Sequence, residues 1–423
     1  MTASALSPRP PWQGRRVVLG VTGGIAAYKA VQVARDLTRL GAQVDVIATE
    51  AAQRFVGGLS FEGVTGRPVL TELFSAEGAA RHIKLGREAD AIVIAPATAD
   101  LLARAAQGRA DDLLTTTLLA TRAPVVLCPA MNDRMFAHPQ VQQNLTHCRD
   151  VLGYRIAGPD TGPLAVGEAD GPGRMIEPEV IVQHVGRALG ERAPLAGRRV
   201  LITSGPTREA VDPVRFVGNR SSGKMGRALA EAAWRRGAEV TVVSGPVALA
   251  SPVGAEVVSV ESGREMLDAV ASRIGTADVV LFAAAVADFR PEDAAPAKVK
   301  REGRSGLDLQ LVANPDVAAE TRGARKPNAV VVGFALETEG LVENATKKLA
   351  SKGFDLVVAN PANEAGAGFE ADTNRVTLIG ADGKADSLPT MEKDAVAEAV
   401  LDRVELLLTS HPPSRTPSRE VSR

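Results

Sequence analysis

Two stretches of this chain begin alike, and together they limit what it can fold into. "GRRVVLGV" at 14–21 and "GRRVLITS" at 197–204 each place a short apolar run after a basic pair. An apolar run without polar alternation reads as a strand buried on both faces, as in a parallel sheet. A glycine-bearing loop follows each run, and then a helical stretch: "KAVQVARDLTRLGAQVDVI" in the first half, "GRALAEAAWRRGAEVTVV" in the second. Val31, Ala34, Leu37 and Leu40 recur at helical spacing. Gly41 and Gly237 are predicted to end the two helices, because glycine tolerates the left-handed conformation there. A second apolar run follows each helix. Further runs ("ADAIVIAPA", "APVVLCPA", "ADVVLFAAAVA", "NAVVVGFAL" and "FDLVVAN") alternate with helical stretches. The pattern predicts an α/β chain with two doubly wound, Rossmann-like parallel-sheet domains, whose ligands bind outside the carboxyl ends of the strands. The expected division is a first domain at 14–187, a linker at 188–197 ("ALGERAPLAG"), a second domain at 198–408 and a disordered Ser/Pro/Arg tail at 409–423.

Composition removes several function classes. Lys plus Arg number 49 against 50 Asp plus Glu, so no global field draws the chain to nucleic acid or an anionic membrane. No apolar run approaches the roughly 18 residues of a membrane span, and residues 1–13 lack an apolar signal core. Cys128 and Cys148 lie outside any CxxC pair, and the expectation is a reduced, cytoplasmic setting.

The loops at the strand ends carry the chemistry. "GVTGGIAAYK" at 20–29 offers glycines and a helix N-terminus to an anion. Its glycines are not spaced as G-x-G-x-x-G, and a tight turn that only packs explains it equally well. Glu50, after the second strand, suits a ribose in a nicotinamide enzyme. Asn132 in "CPAMNDRM" offers two donors and an acceptor, or is simply a turn residue after Pro129. His82 in "ARHIKLG" is either a surface residue or a proton carrier. Asp111 and Asp112 suit the start of a helix.

In the second half, "GNRSSGKM" at 218–225 fits the phosphate-loop pattern G-x-x-x-x-G-K-[ST] except that Met225 replaces the hydroxyl residue. The strand ends near Thr203, far upstream, so this is not a true phosphate loop of that class. Ser221, Ser222, Gly223 and Lys224 still sit just ahead of a helix, where hydroxyls and backbone N–H groups make a phosphate cradle. Asp288 suits a metal or a ribose. Lys298 and Lys300 sit on a loop suited to phosphates or a developing anion. Asn314 and Asp316 mark another turn. For each, a solvated loop residue is the plain alternative.

With these residues in place, the chain resembles the bifunctional phosphopantothenoylcysteine decarboxylase/phosphopantothenate–cysteine ligase family of bacterial coenzyme A synthesis. The resemblance spans about residues 14–408. It rests on "GVTGGIAAYK", "HIKLG", "APATADL", "PAMNDRM", "GPGRM", "TSGPTREAVDPVRFVGNRSSGKMG", "AAVADFR", "KVK", "NPD" and "VVGFALET". It implies FMN bound in the first half by Gly23, Gly24, Ile25, Thr49, Pro96, Ala97 and Thr98. It matches His82 to the family's active-site histidine and Asn132 to its substrate-gripping asparagine. The implied reaction removes the cysteine carboxyl of phosphopantothenoylcysteine, the flavin taking electrons and then returning them.

For the second half the resemblance implies ligation driven by CTP with Mg2+, through an acyl-cytidylate that cysteine opens. Asn219 matches the residue that handles the acyl intermediate and Lys298 the one needed to form it. Ser221, Ser222, Gly223, Lys224, Met225, Gly226, Ala285, Asp288, Asn314, Asp316 and Phe334 match the nucleotide site, with Asp288 also the candidate metal ligand. The implied partners are the small-molecule substrates and further copies of the chain, as trimeric flavin domains and dimeric ligase domains. One departure stands out. The family flap reads "ACGxxGPGRM", whereas this chain reads "LAVGEADGPGRM" at 164–175, with Val166 at the cysteine position. Valine has no proton to give, which leaves Glu168 or Asp170 as substitute donors. It also leaves two rivals to the full reaction: a ligase carrying an incomplete decarboxylase, or a flavoprotein scaffold.

Overall fold

The computed structural model describes residues 10–74, 80–164, 170–301, 306–337, 340–361 and 371–410. Val166 and Glu168 lie outside the described residues. The chain forms two compact units, Arg9–Glu191 and Arg192–Arg423.

The first unit holds a five-stranded parallel sheet in the order β2-β1-β3-β4-β5, from β1 (Arg16–Val21), β2 (Gln43–Ala48), β3 (Ala91–Ala97), β4 (Val125–Pro129) and β5 (Arg155–Ile156). Its apolar runs are continuous because both faces are covered. Along β1, Val17, Leu19 and Val21 enter one core while Val18 enters the other. In β3, Val93 and Ala95 face the first core, and Ile92 and Ile94 the second.

Helix α1 (Ala27–Arg39) ends before Gly41, whose φ is +93°. Its buried stripe is Ala30, Val33, Ala34 and Leu37, which includes Ala34 and Leu37 of the spacing read from the sequence. Val31 is only half-buried, and Leu40 lies past the helix end. The unit's other helices that matter here are α2 (Arg81–Glu88), α3 (Ala99–Ala106) and α4 (Leu113–Ala120). Asp112 caps α4: its carboxylate accepts from the Thr115 N–H, and the Thr115 hydroxyl side answers the Asp112 backbone.

The second unit holds an eight-stranded sheet. Its strands are β6 (Arg199–Ser204), β7 (Glu239–Ser244), β8 (Glu256–Ser259), β9 (Val279–Phe282), β10 (Val330–Glu337), β11 (Leu356–Pro361), β12 (Thr377–Gly380) and β13 (Ala385–Ser387). Their order is β8-β7-β6-β9-β10-β11-β12-β13. The first six run parallel, and β12 and β13 add an antiparallel edge. Helices α5 (Lys224–Arg235) and α7 (Lys393–Ser410) share one core with Val200 and Ile202. Helix α6 (Leu341–Lys352) contributes Ala345 to the other core, with Leu201. The unit is therefore wound on both faces. Arg235 of α5 and Arg236, which caps it, bind Glu398 of α7, each at 2.6 Å. Among the described residues, no helix is long and apolar enough to cross a membrane.

Candidate functional sites

In the first unit a cavity of about 1230 Å³ opens at the carboxyl ends of β1 to β4, lined there by Thr22, Ala48, Thr98 and Ala130. Of the seven residues expected at the flavin, Gly23, Gly24, Ile25, Thr49 and Thr98 line it. Pro96 and Ala97 are buried behind the wall. They act through the backbone: the Thr22 hydroxyl donates to the Pro96 carbonyl at 2.7 Å, and the Thr98 N–H donates to the Thr22 hydroxyl at 3.3 Å. Two strand-end loops are thereby tied into one rim. A Cβ at Gly23 would meet Ala51 Cβ at 2.4 Å, so only glycine lets this loop lie against the helix capped by Thr49.

Asn132 lines the cavity as the cap of the short helix Asp133–Ala137. Its Oδ1 accepts from the Arg134 N–H at 2.9 Å, leaving the side-chain NH2 group to donate to a ligand. Arg104 on the same wall binds Asp112 at 2.8 Å and also Asp111. Its hydrogen bond holds the Asp111 carboxyl below the usual range. Lys29, nearly buried, reaches the Met175 carbonyl at 3.2 Å and Glu177 at 3.0 Å. Glu50, at the mouth, pairs with Arg54 at 3.4 Å.

Two expected residues are not brought to this cavity by one chain. His82, on α2, is half-buried and lies off the lining, and its Nδ1 is buried without a partner. Asp170 is exposed and also off the lining. Cys128 and Cys148 are both buried; burial pushes the Cys128 thiol far up and Cys148 up to about 11.

The second unit has a cavity of about 780 Å³ at the carboxyl ends of β6, β9, β10 and β11. Every residue expected at the nucleotide lines it, from Ser221 through Gly226 to Ala285, Asp288, Asn314, Asp316 and Phe334. Gly223 has φ +76° and precedes α5, so its conformation turns the loop into the helix. Gly226 lies against β6: a Cβ there would sit 2.2 Å from Ser204 Oγ and 2.5 Å from Ser204 Cβ. Asn219 also lines the cavity, its side chain donating to the Val286 carbonyl at 2.9 Å.

Asp316 caps the short helix Val317–Glu320 and pairs with Lys352 at 3.0 Å. Burial alone would raise its carboxyl, but Lys352 and the cap N–H groups hold it below the usual range. Asn314 donates to the Ala287 carbonyl at 2.9 Å, while its Oδ1 is buried without a partner. Asp288 is exposed. Among the described residues no group of three or more His, Cys, Asp or Glu side chains could hold a metal.

Lys298 is exposed and does not line the cavity. Its loop is nonetheless fixed. The side chain of Asp212 is fully enclosed and accepts from the N–H groups of Val214 and Arg215, both at 2.8 Å, and from Val299 N–H at 3.1 Å. Arg215 adds a bond to the Val299 carbonyl. Burial would raise the Asp212 carboxyl, but these N–H groups and the Arg215 guanidinium outweigh it and hold it at about 2.

Sequence reading missed Lys348, Lys352 and Lys393, which also line this cavity. For the first two a signal existed: they stand four residues apart, on one face of α6. Lys348 is paired with Glu337 at 2.7 Å. Lys393 lies far along the chain, and nothing in its sequence context pointed to a site.

Comparison with known proteins decides the family. Residues 195–407 match the DNA/pantothenate metabolism flavoprotein C-terminal domain, and residues 7–190 match the flavoprotein family. The coenzyme A biosynthesis bifunctional protein CoaBC of Vibrio cholerae is 45% identical over 392 residues, covering 92% of this chain and 97% of that protein. This chain belongs to the coenzyme A biosynthesis bifunctional protein family. Its relative of the same name in Mycobacterium tuberculosis is 46% identical over 409 residues, covering 93% and 97%. The one in Bacillus subtilis is 45% identical over 401 residues, again covering 93% and 97%. A crystal structure of the C-terminal domain of a CoaBC protein aligns with 40% identity, covering 52% of this chain and 99% of that one, at a TM-score of 0.44.

Proposed function

We propose that the chain makes 4'-phosphopantetheine in two steps, joining cysteine to 4'-phosphopantothenate in the second unit and decarboxylating the product in the first. It is an enzyme of coenzyme A biosynthesis with phosphopantothenate–cysteine ligase and phosphopantothenoylcysteine decarboxylase activities. The observation that carries the ligase reading is the convergence of all the expected nucleotide residues on one cavity.

In the ligase reading, a carboxylate oxygen of phosphopantothenate attacks the α-phosphorus of CTP, and the bond to the β-phosphate breaks with release of pyrophosphate. The cysteine amine then attacks the acyl carbon, loses a proton and displaces CMP. The loop Ser221–Gly226 offers N–H groups to the phosphates, and Lys348 and Lys352 add charge from the opposite face. Asn219, fixed by Val286, orients the acyl group. Lys298 neutralises charge at the α-phosphate. Asp288 is the residue that would hold Mg2+ brought in with CTP, and the ion would supply further charge neutralisation.

In the decarboxylase reading, the glycine loop and the Thr22–Pro96–Thr98 rim hold FMN, and the Asn132 NH2 group grips the substrate carboxylate. The cavity has room for a mononucleotide and is lined by the small residues such a ligand needs. Bound FMN supplies an electron sink that eases loss of CO2, and the cycle is redox-neutral. His82 lies off the cavity of its own chain. That supports flavin sites shared between copies; trimers of flavin domains and dimers of ligase domains are what the family resemblance implies.

The test is the full chain with phosphopantothenate, cysteine and CTP. Pyrophosphate, CMP, CO2 and phosphopantetheine are expected in equal amounts; absence of the amide sinks the ligase reading. Asp212→Ala should release the Lys298 loop. Acyl-cytidylate formation is then expected to fall by about 10- to 100-fold, with the KM for CTP little changed. Pyrophosphate release at limiting CTP checks this. The latch holds fully above the ordinary carboxyl value of 3.8 and is lost as pH falls towards about 2, because its folded value is depressed.

A further inference from the structure

The ligase cavity straddles the edge of its sheet. Lys348 and Lys352 approach from the α6 face, each matched by a carboxylate at 2.7 and 3.0 Å. Lys224 and Lys393 approach from the α5 and α7 face. Lys224 belongs to the loop already assigned to phosphates. Lys393 has no role in the reaction as described so far.

Lys393 is only 7% exposed, yet it forms part of the cavity wall. Its Nζ donates to the Ala371 carbonyl at 2.5 Å. The next residue, Asp372, binds Lys224 at 2.7 Å with an 84% exposed side chain. Asn374, 6% exposed, completes this wall and is held by pairing of Thr373–Asn374 with Met391–Glu392. Burial, and then the charge of Lys224, depress the Lys393 pKa, while Asp372 acts the other way. Two ammonium groups thus converge on one side of the cavity close enough to oppose each other. A polyanion bridging them reverses that repulsion.

We infer that Lys393, with Lys224, forms a subsite for the β- and γ-phosphates of the nucleoside triphosphate, the part that leaves as pyrophosphate. The inference rests on the ligase reading and extends it. The subsite continues directly from the Ser221–Gly226 loop through Lys224, whereas Asn219 is assigned to the acyl group and Lys298 stands off the cavity lining. This continuity favours the triphosphate over the phosphate of phosphopantothenate. When the Pα–O–Pβ bond breaks, the departing oxygen keeps the electron pair. Lys224 and Lys393 then hold the added negative charge, so the subsite helps the leaving group as well as binding it.

The test uses the full chain and inorganic pyrophosphate. Lys393→Gln should weaken pyrophosphate binding, read by calorimetry, by about 10- to 100-fold, as loss of a charged hydrogen bond does. The KM for CTP should rise in parallel and the KM for phosphopantothenate should not. Lys393→Arg, which keeps the charge, should retain most of the binding. The proposal is overturned if the Gln variant binds pyrophosphate like wild type, or if the phosphopantothenate KM rises instead. A second measurement needs no variant: pyrophosphate should protect Lys393 of the wild-type chain from acetic anhydride, read by peptide mass. Equal labelling with and without it also overturns the proposal. A wild-type chain that makes no amide condemns the ligase reading. One that ligates while its pyrophosphate binding ignores Lys393 condemns only the subsite.

Discussion

Gly226→Ala should cut CTP-dependent amide formation by about 100-fold or more, the scale reached when a reacting group is displaced by about 1 Å. The added methyl would lie 2.2 Å from Ser204 Oγ, 2.5 Å from Ser204 Cβ and 3.2 Å from Ser204 Cα. The hydroxyl can rotate away; the Cβ and backbone cannot. Helix α5 must therefore retreat from β6, carrying Ser221, Ser222, Gly223 and Lys224 with it. Overpacking of this kind also costs about 1–3 kcal/mol of stability. The check is pyrophosphate release beside flavin turnover in the same preparation. Loss of the first with retention of the second is expected, because the substitution lies in the other unit. Normal ligation by a folded Gly226→Ala chain would mean that the close approach of helix and strand does not position the nucleotide.

The second large effect concerns the proton that completes decarboxylation. The flap sequence carries Val166 where the family pattern has cysteine, and Glu168 and Asp170 are the acids nearest in sequence. A double replacement, Glu168→Gln with Asp170→Asn, should slow return of electrons from the flavin by about 100- to 10,000-fold, the usual worth of a general acid. Under anaerobic conditions with phosphopantothenoylcysteine, the flavin should stay bleached and the oxidised enethiol should be found by mass. Adding Val166→Cys to that double variant should restore turnover. If the double variant cycles like wild type, neither carboxyl donates the proton and solvent suffices.

The sheets and the glycine-ended helices were legible because they follow from local rules. Continuous apolar runs at Arg16–Val21 and Arg199–Ser204 have no other economical reading, and Gly41 and Gly237 take the positive φ foreseen for them. The antiparallel edge of β12 and β13 was not foreseen, since strand direction is set by tertiary pairing rather than by periodicity. The candidate sites divide the same way. Ser221–Gly226 could be placed because a loop before a helix has a local geometry. Asp212 was not singled out in the sequence, and only folding brings it to Val299, 87 residues away. Lys393 was invisible for the same reason: a wall assembled from distant segments leaves no spacing to read.

The enclosed thiols have a consequence for product handling. The second reaction delivers a free thiol into a flavin cavity, where it could join a protein thiolate only if an oxidant took two electrons from the pair. This chain has two cysteines, and both are buried with their thiols held in the unreactive protonated form. The nascent thiol therefore meets neither a disulfide to exchange with nor an exposed cysteine thiolate that oxidation could couple to it.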